Sequence, residues 1–560
     1  MEFAELIRVP KVDNVKLYRL NQRPVEGTLC VTGHHLILSS RQDNSEELWL
    51  LHKNVDSVEK KLSGTVGLIT LKCKNFETIQ MEIPDAESCI HVANSVEQLS
   101  NIDNIALAYS FFHRAMFDIL EDGWQAFVPE SEYSHFLTQS AEWRMSHVNN
   151  TFEVCMSYPQ SIIVPKCIDD DTIRRVAEFR HLGRFPMLSY CHKENGCVML
   201  RSSQPLTGPG NKRCKEDERM VNAVLGIGKR GYIVDTRSQT LAKVAAAKGG
   251  GVESEVYYPQ WRRIHQAIER HHVLHESLIK LMEACYDTVT SMDKWLSKLE
   301  SSNWLGHIKD VLTCACVAAQ CIDKEGASVL VHGSEGLDST LQVTSLAQLI
   351  LDPDCRTVRG FEALVEREWL QAGHPFADRC AKSAFAITKH RKEAPVFLLF
   401  LDCVWQIWQQ FPCSFEFSED FLIMLFQHAY SSQFGTFMCN DERERKMYSL
   451  EEKTISLWSY INRPEVLEQY LNPLYEPNPT VIWPSVAPQS LILWTGLYQR
   501  WQKHQYGNQE IWDQMVAIKQ EDKQLKSRVI KLRRQLVTLE KEAIEKGLVP
   551  VSQQDGVQQA

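Results

Sequence analysis

The stretch from Val329 to Gln342, VLVHGSEGLDSTLQ, constrains this chain more than any other. The β-branched run Ala327 to His332 reads as a buried strand, it breaks at Gly333 and Gly336, and a helix-competent run begins at Thr340. Strand, tight loop and helix in that order aim backbone N–H groups at one point, because the first turn of a helix leaves its donors unpaired and carries the positive end of the dipole. The segment therefore predicts an α/β unit whose loop can cradle an anion.

At 560 residues the chain has room for several domains, and 44% hydrophobic content is ordinary for globular protein. A formal net charge of −10 argues against nucleic acid as a partner, since phosphate-tracking surfaces are basic. The opening MEFAELIRVP has no charged segment followed by an apolar one, so no secretory signal is expected. With no export signal, the 17 cysteines, an odd number, are expected to be free thiols in a cytoplasmic protein. No run reads as long and apolar enough to span a bilayer. The best, Val396 to Trp408, carries Asp402, so membrane contact is expected to be peripheral.

Residues 1 to about 100 read as a β-rich domain closed by a helix. Thr28 to Leu38, Leu48 to Leu51, Val66 to Cys73 and Thr78 to Ile83 are strand-like, with turn residues at Gly33, Asp43-Asn44, Gly64 and Lys74-Asn75. Asp85 can cap a helix whose residues Ala86, Cys89, Ile90, Ala93, Val96 and Leu99 share one face. Lys53, Lys60, Lys61, Lys72 and Lys74 offer cations for a lipid headgroup, and equally read as solvating lysines on strand edges. From about 101 to 140 the pattern is aromatic, with Phe111, Phe112, Phe117 and Trp124, and lacks linker bias; it reads as a connector packed on the next domain. Beyond it, short apolar strands (Met187 to Tyr190, Cys197 to Leu200, Gly231 to Asp235, Ser328 to Val331) alternate with amphipathic helices, which predicts a mixed sheet wrapped by helices.

Several clusters are weighed against plainer readings. His265, His271, His272 and His275 fall on one expected helix, where His271 and His275 are one turn apart; two ligands without a third read as an exposed polar face, and no metal or cofactor is expected. Cys314, Cys316 and Cys321 lie in an apolar helical run, where core packing is the default. The tryptophans near 295 to 304 and 405 to 408 read as core. Gly249-Gly250-Gly251 reads as a turn needing positive φ.

From Asn508 to Lys546 there is no proline, and apolar residues recur at heptad spacing. Ile511, Ile518, Leu525, Leu532 and Leu539 take d positions; Met515, Asp522, Val529, Leu536 and Ala543 take a positions. That repeat predicts a coiled coil ended by Gly547 and Pro550. In a parallel homodimer two Asp522 side chains would meet in the seam and Arg528 would face Arg533, with only Glu521 and Lys526 attracting. A heteromeric partner is therefore expected over self-association.

The loop letters resemble the phosphate loop of the myotubularin family of phosphoinositide 3-phosphatases, whose usual text is VHCSDGWDRTAQ. The resemblance extends over WRMSHVNN at 143, FRHLGRFPMLSY at 179, RSSQPLTG at 201, GYIVDTRS at 231, AKGGGVES at 247, FLDCVWQIWQQFP at 400, FGTF at 434 and WPSVAP at 483, while EGTLCVTGHHLILSS is similar to the family's PH-GRAM text. It implies a multidomain α+β chain: a PH-GRAM domain (1–100), a connector (101–122), an α/β cysteine-phosphatase-like domain (123–500), the coiled coil (508–546) and a disordered tail (547–560). Laid on the pattern, the nucleophilic cysteine falls on Gly333 and the phosphate-clamping arginine on Ser339. Glu335 replaces the aspartate and Leu337 the tryptophan; Asp338 and Thr340 match, and Ser334 sits beside the nucleophile position. Glycine cannot attack phosphorus, and serine offers one neutral hydroxyl where a charged fork is needed. The loop Gly333, Ser334, Glu335, Gly336, Leu337, Asp338, Ser339 is thus expected to be catalytically dead. The resemblance further implies phosphoinositide or protein binding by the PH-GRAM domain. It also implies coiled-coil pairing with catalytically active myotubularin-related phosphatases of the 6/7/8 subgroup, at phosphoinositide membranes.

Overall fold

The computed structural model describes residues 3–19, 24–40, 47–226, 228–287, 289–386 and 392–501. Of the C-terminal segment it describes Ala517, Ile518, Glu521, Asp522, Gln524, Leu525, 528–533, Gln535, Leu536, Leu539 and Ala543. Ile511, Met515 and the tail 547–560 lie outside the described residues.

Seven antiparallel strands form the N-terminal domain: β1 (Lys11–Tyr18), β2 (Val25–Val31), β3 (His35–Ser40), β4 (Leu48–Leu51), β5 (Val55–Ser63), β6 (Val66–Cys73) and β7 (Thr78–Ile83), in the spatial order β4-β3-β2-β1-β7-β6-β5. The helix Ala86–Ser100 follows. Asp85 caps it by accepting the Ser88 N–H at 2.7 Å, and Cys89, Val92, Ala93, Val96 and Leu99 are buried against the strands. The run Thr28 to Leu38 is interrupted at Gly33, where β2 ends and β3 begins. β1 and β5 carried no sequence signal. β5 ends in the exposed letters EKKLS, and β1 is interrupted by a bulge at Asn14, which takes φ 58°.

A two-stranded ribbon, β8 (Trp143–Ser146) and β9 (Ile162–Pro165), leads into the second domain. Its sheet comprises β10 (Met187–Cys191), β11 (Val198–Ser202), β12 (Gly231–Asp235), β13 (Trp261–His265) and β14 (Val329–His332), in the order β10-β11-β14-β12-β13, with only β10 antiparallel. Helices carry the larger core: Trp304–Asp323 and Ser339–Leu351 pack beside Val396–Gln410 and Glu419–Tyr430. Cys314, Cys321, Trp304 and Trp405 are buried in it as expected, and Asp402 is satisfied there by Trp304, Tyr498 and Gln406. The helix Trp304–Asp323 corrects one expectation, because by length and composition it is able to cross a membrane; its alanines and cysteines make it apolar, and it is spent inside this core. His265 is not helical but ends β13, whereas His271 to His275 begin the helix His271–Cys285. Gly249 takes φ +96° as expected, while Gly250 and Gly251 are glycines because Gln204 and Thr207 press against them.

The two domains are joined by more than the connector. Trp124 donates its Nε1–H to the Thr454 carbonyl and Phe117 packs on Tyr460. The β6–β7 hairpin inserts Phe76, fully buried and at φ 69°, among Phe426, Tyr498 and Phe385 of the larger core. Burying such a ring is worth roughly 2–3 kcal/mol. In the C-terminal segment Ile518, Asp522, Leu525, Val529, Leu532, Leu536 and Leu539 are helical, and all of them are exposed. Ile530 faces the other way and is buried, and Arg533 donates to the Tyr475 carbonyl at 3.0 Å.

Candidate functional site

The parallel strands β11, β12 and β14 end at the same level, since Ser202 and Asp235 both stand beside His332 in register. Their following loops therefore converge where open α/β sheets place ligands. From β14 the chain runs through Gly333 to Asp338 into the helix Ser339–Leu351. Gly336 takes φ +70°, and a Cβ there would lie 2.4 Å from the Ser202 carbonyl oxygen, so only glycine fits. The N–H groups of Ser334 to Asp338 have no acceptor among the described residues. This is the loop that the sequence marks as a candidate anion cradle, with Glu335 exposed and Leu337 half-buried in it.

The side chains around the cradle are occupied with one another. Thr236, in the loop after β12, places its hydroxyl 2.8 Å from that of Ser339. A Cβ added at Gly333 would stand 2.7 Å from Thr236 Oγ1, so the Thr236 side chain fills the space beside the bare glycine. Asp338 adopts φ 52°, ψ −101°, an unusual conformation for a residue with a side chain. It is held by Arg379 through Nη2 at 2.8 Å and Nε at 3.1 Å, with His374 at 3.6 Å and His271 at 3.9 Å. Burial would raise its carboxyl, but Arg379 and the histidines win and hold it below the usual range. Burial pushes His374 down to about 3, and neither ring nitrogen has a hydrogen-bond partner.

Beneath the loop, Arg184 is fully buried and donates to the Gly336 and Ala372 carbonyls at 2.9 Å and to Ser157 Oγ at 2.7 Å. Its guanidinium lies 4.4 Å from the Tyr158 ring centre. A second buried set ties β14 to its surroundings. Arg180 grips Asp217 with two bonds of 2.7 Å and Glu253 with one of 2.7 Å, and His332 meets Glu253 at 3.1 Å. Against the burial that would raise it, His332 and Arg180 keep Glu253 well below the carboxylate range. Both networks brace this region, Arg184 at the Gly336 carbonyl and Arg180 through Glu253 to His332.

Sequence reasoning located the loop but not Thr236, Arg379, Arg184 or His374. Thr236 lies in GYIVDTRS and both Arg180 and Arg184 in FRHLGRFP, yet a single sequence does not show which of these letters turn inward. The five lysines of the first domain do not form one patch. Lys60 bonds to Asn94 and Lys72 to Glu59, while Lys61 is exposed. Lys53 and Lys74 lie at the opposite end, against the second domain, and Lys74 is fully buried because the hairpin that carries it is inserted there. Among the described residues no group of histidine, cysteine and carboxylate side chains has the arrangement of a metal site.

A PH-GRAM-type sheet followed by a cysteine-phosphatase-type α/β domain, with a glycine loop between β14 and its helix, defines the class. The profile of the myotubularin-like phosphatase domain matches residues 108–446, and that of the GRAM domain of MTMR6-9 matches residues 11–100. Myotubularin-related protein 9 of Homo sapiens is 62% identical over 542 residues, 97% of this chain and 99% of its own length. Two further relatives from Homo sapiens are phosphatidylinositol-3-phosphate phosphatase MTMR7, 38% identical over 93% of this chain and 80% of its own, and phosphatidylinositol-3,5-bisphosphate 3-phosphatase MTMR6, 36% identical over 93% and 84%. The chain belongs to the myotubularin family.

Proposed function

We propose that this chain is a non-catalytic myotubularin that acts as an adaptor for active phosphoinositide 3-phosphatases. The observation that carries the reading is the occupied nucleophile position: Gly333 has no side chain, and Thr236 Oγ1 stands 2.7 Å from where a Cβ would be. Phosphoryl transfer by this loop type needs a thiolate to attack and a guanidinium to gather the oxygens. Ser339 supplies neither, and Asp338 is an acid held ionised by Arg379, unsuited to donating a proton.

What then remains is binding. The described apolar residues at heptad spacing, Ile518, Leu525, Val529, Leu532, Leu536 and Leu539, are exposed on a helical segment, which supports a coiled-coil partner. Active relatives of the 6/7/8 subgroup, two of which are named for hydrolysing phosphatidylinositol 3-phosphate and phosphatidylinositol 3,5-bisphosphate, are the proposed partners, at the cytoplasmic face of endomembranes. Pairing two peripheral modules raises effective concentration at the surface without new chemistry.

The test is co-purification of full-length and 1–501 chains with active relatives, followed by phosphatase assays on the complexes. Capture that depends on residues beyond 501, with altered partner turnover, is expected. A monomer that captures none of them, or turnover by the chain alone that vanishes when Asp338 or Ser334 is changed, overturns the adaptor reading. A second reading, a headgroup sensor, draws on the unpaired amides of Ser334 to Asp338; saturable headgroup binding that is lost on mutating this loop is its signature.

A further inference from the structure

The C-terminal helical segment carries more apolar residues than one coiled-coil seam uses. Beside the a and d series, Val516, Ile530, Val537 and Ile544 recur in the sequence at the b position of the heptad, with Lys523 the one break in that series. A two-stranded coiled coil buries a and d and leaves b in water, so a b series of this kind calls for a second surface. The structure shows where one of its members goes. Ile530 is 7% exposed, while Val529 beside it and Leu532 and Leu536 on the open stripe are 41%, 55% and 57% exposed. Arg533, at the e position one turn on and so on the same side of the helix, donates from Nη1 to the Tyr475 carbonyl at 3.0 Å.

The segment that receives this face is fastened along its length. Asn472 donates from Nδ2 to the Pro412 and Phe415 carbonyls at 2.7 and 2.8 Å, and the Glu476 N–H reaches the Cys413 carbonyl at 2.8 Å. Arg356, itself buried, donates to the Asn478 and Thr480 carbonyls at 3.1 and 2.7 Å. Tyr475 therefore offers its carbonyl from a strap fixed to the phosphatase-like domain, with exposed Leu474 next to it in the chain. Helix geometry keeps the two faces from competing. At ~100° per residue, b lies about 130° round the helix from the middle of the a/d seam, and e about 70°. A partner helix seated on the seam and the strap seated against b and e approach from different sides, so both fit at once.

We propose that the C-terminal helix is a strut: its b and e face docks in cis on the strap from Asn472 to Thr480, and its a/d seam stays open for the helix of an active relative. This deepens the adaptor reading and rests on it for the identity of the partner. A helix on a free tether would only raise the local concentration of its partner, whereas one fixed to the phosphatase-like domain also sets where the partner's body stands. Capture and effect therefore separate: a and d residues hold the partner, and b and e residues fix its position over this chain.

The full chain is compared with the double variant Ile530→Glu, Arg533→Gln, whose new residues favour helix and remove the cis contacts, and with Leu525→Asp, Leu532→Asp, which disrupts the seam. Amide hydrogen exchange reads the docking without any partner: exchange across 473–480 quickens at least ~5-fold in the first variant and is unchanged in the second. Capture of an active relative by the first variant stays within about threefold of wild type, while the change it causes in that relative's turnover on phosphatidylinositol 3-phosphate vesicles falls by at least about half. Unchanged exchange across 473–480 in the first variant overturns the cis docking. Capture that rises or is lost in it overturns the strut, because the face then competes with the partner or belongs to the partner's seam, and so does an undiminished effect on turnover. A wild-type chain that captures no relative fails the adaptor reading instead, and the exchange arm then decides the docking by itself.

Discussion

Placing a cysteine at Gly333 tests whether the loop has closed over its missing side chain. The new Cβ would stand 2.7 Å from Thr236 Oγ1, and Ser339 Oγ and Thr340 Oγ1 are next at 3.4 and 3.6 Å. Thr236 has little room to yield. It is buried, its N–H donates to the His332 carbonyl at 2.9 Å, and its own carbonyl accepts the Ile268 N–H at 2.9 Å. Relief by rotating χ1 breaks the 2.8 Å bond to Ser339. Overpacking of this kind costs about 1–3 kcal/mol and the lost hydrogen bond about 1 kcal/mol. Gly333→Cys should therefore lower stability by roughly 2–4 kcal/mol in urea unfolding. Thr236→Ala removes the obstructing oxygen, so a double-mutant cycle should return a coupling of about 1–3 kcal/mol in favour of the pair. A Gly333→Cys protein as stable as wild type, or costs that simply add, would refute the account of Thr236 as the group that fills the site.

Other outcomes follow from the same geometry. Asp338→Asn strands Arg379, whose side chain is only 7% exposed, and should cost about 2–4 kcal/mol at pH 7. Because the folded carboxyl is held below its ordinary value, that advantage is present above the unfolded value and lost as pH falls through the folded one, so the gap to wild type should narrow toward pH 3 in urea melts. His374 stays neutral when folded, down to about 3, while the unfolded side chain takes a proton near 6.5. Wild type should accordingly lose about 2 kcal/mol relative to His374→Gln between pH 7 and pH 5, and parallel profiles would contradict this. Leu525→Asp with Leu532→Asp, both on the exposed stripe, should leave the melting temperature within about 1 °C and abolish capture of an active relative; capture undiminished would move the contact elsewhere.

The parts of the fold legible in the sequence were those where one local rule acts alone. β4, β6 and β7 match their alternating letters, and Asp85 caps its helix as its position implies. β1 and β5 were not legible, because a bulge hides the period of one and a solvated end hides that of the other. At the site the loop itself was visible, since glycines and a β-branched strand are local signals. Its furniture was not. Thr236, Arg379 and Arg184 reach the loop from sequence distances that no periodicity encodes, and their roles follow only from the register of β12 beside β14 and from the helices behind. Lys74 misled for the converse reason, as a lysine in a turn reads as solvated until a second domain covers the turn.

The two losses in the loop make physical sense together. A thiolate at 333 and a guanidinium at 339 would be a pair of opposite charges side by side, and on the proposed reading both have gone, leaving the neutral Thr236–Ser339 bond. Removing either alone leaves an uncompensated charge, which costs more than removing both. Among the buried carboxylates nearby, Asp338 is matched by Arg379 and Asp217 and Glu253 by Arg180, which leaves the exposed Glu335 of the loop itself as the negative charge that could face an arginine at 339. Ser339→Arg should thus destabilise the chain by about 2–4 kcal/mol in the absence of anions, and a phosphate probe should recover much of that by supplying the missing charge. Recovery should be smaller in Ser339→Arg, Gly333→Asp, where the loop brings its own negative charge. Equal rescue of the two would mean that the arginine points into solvent and that charge balance plays no part in keeping the emptied loop closed.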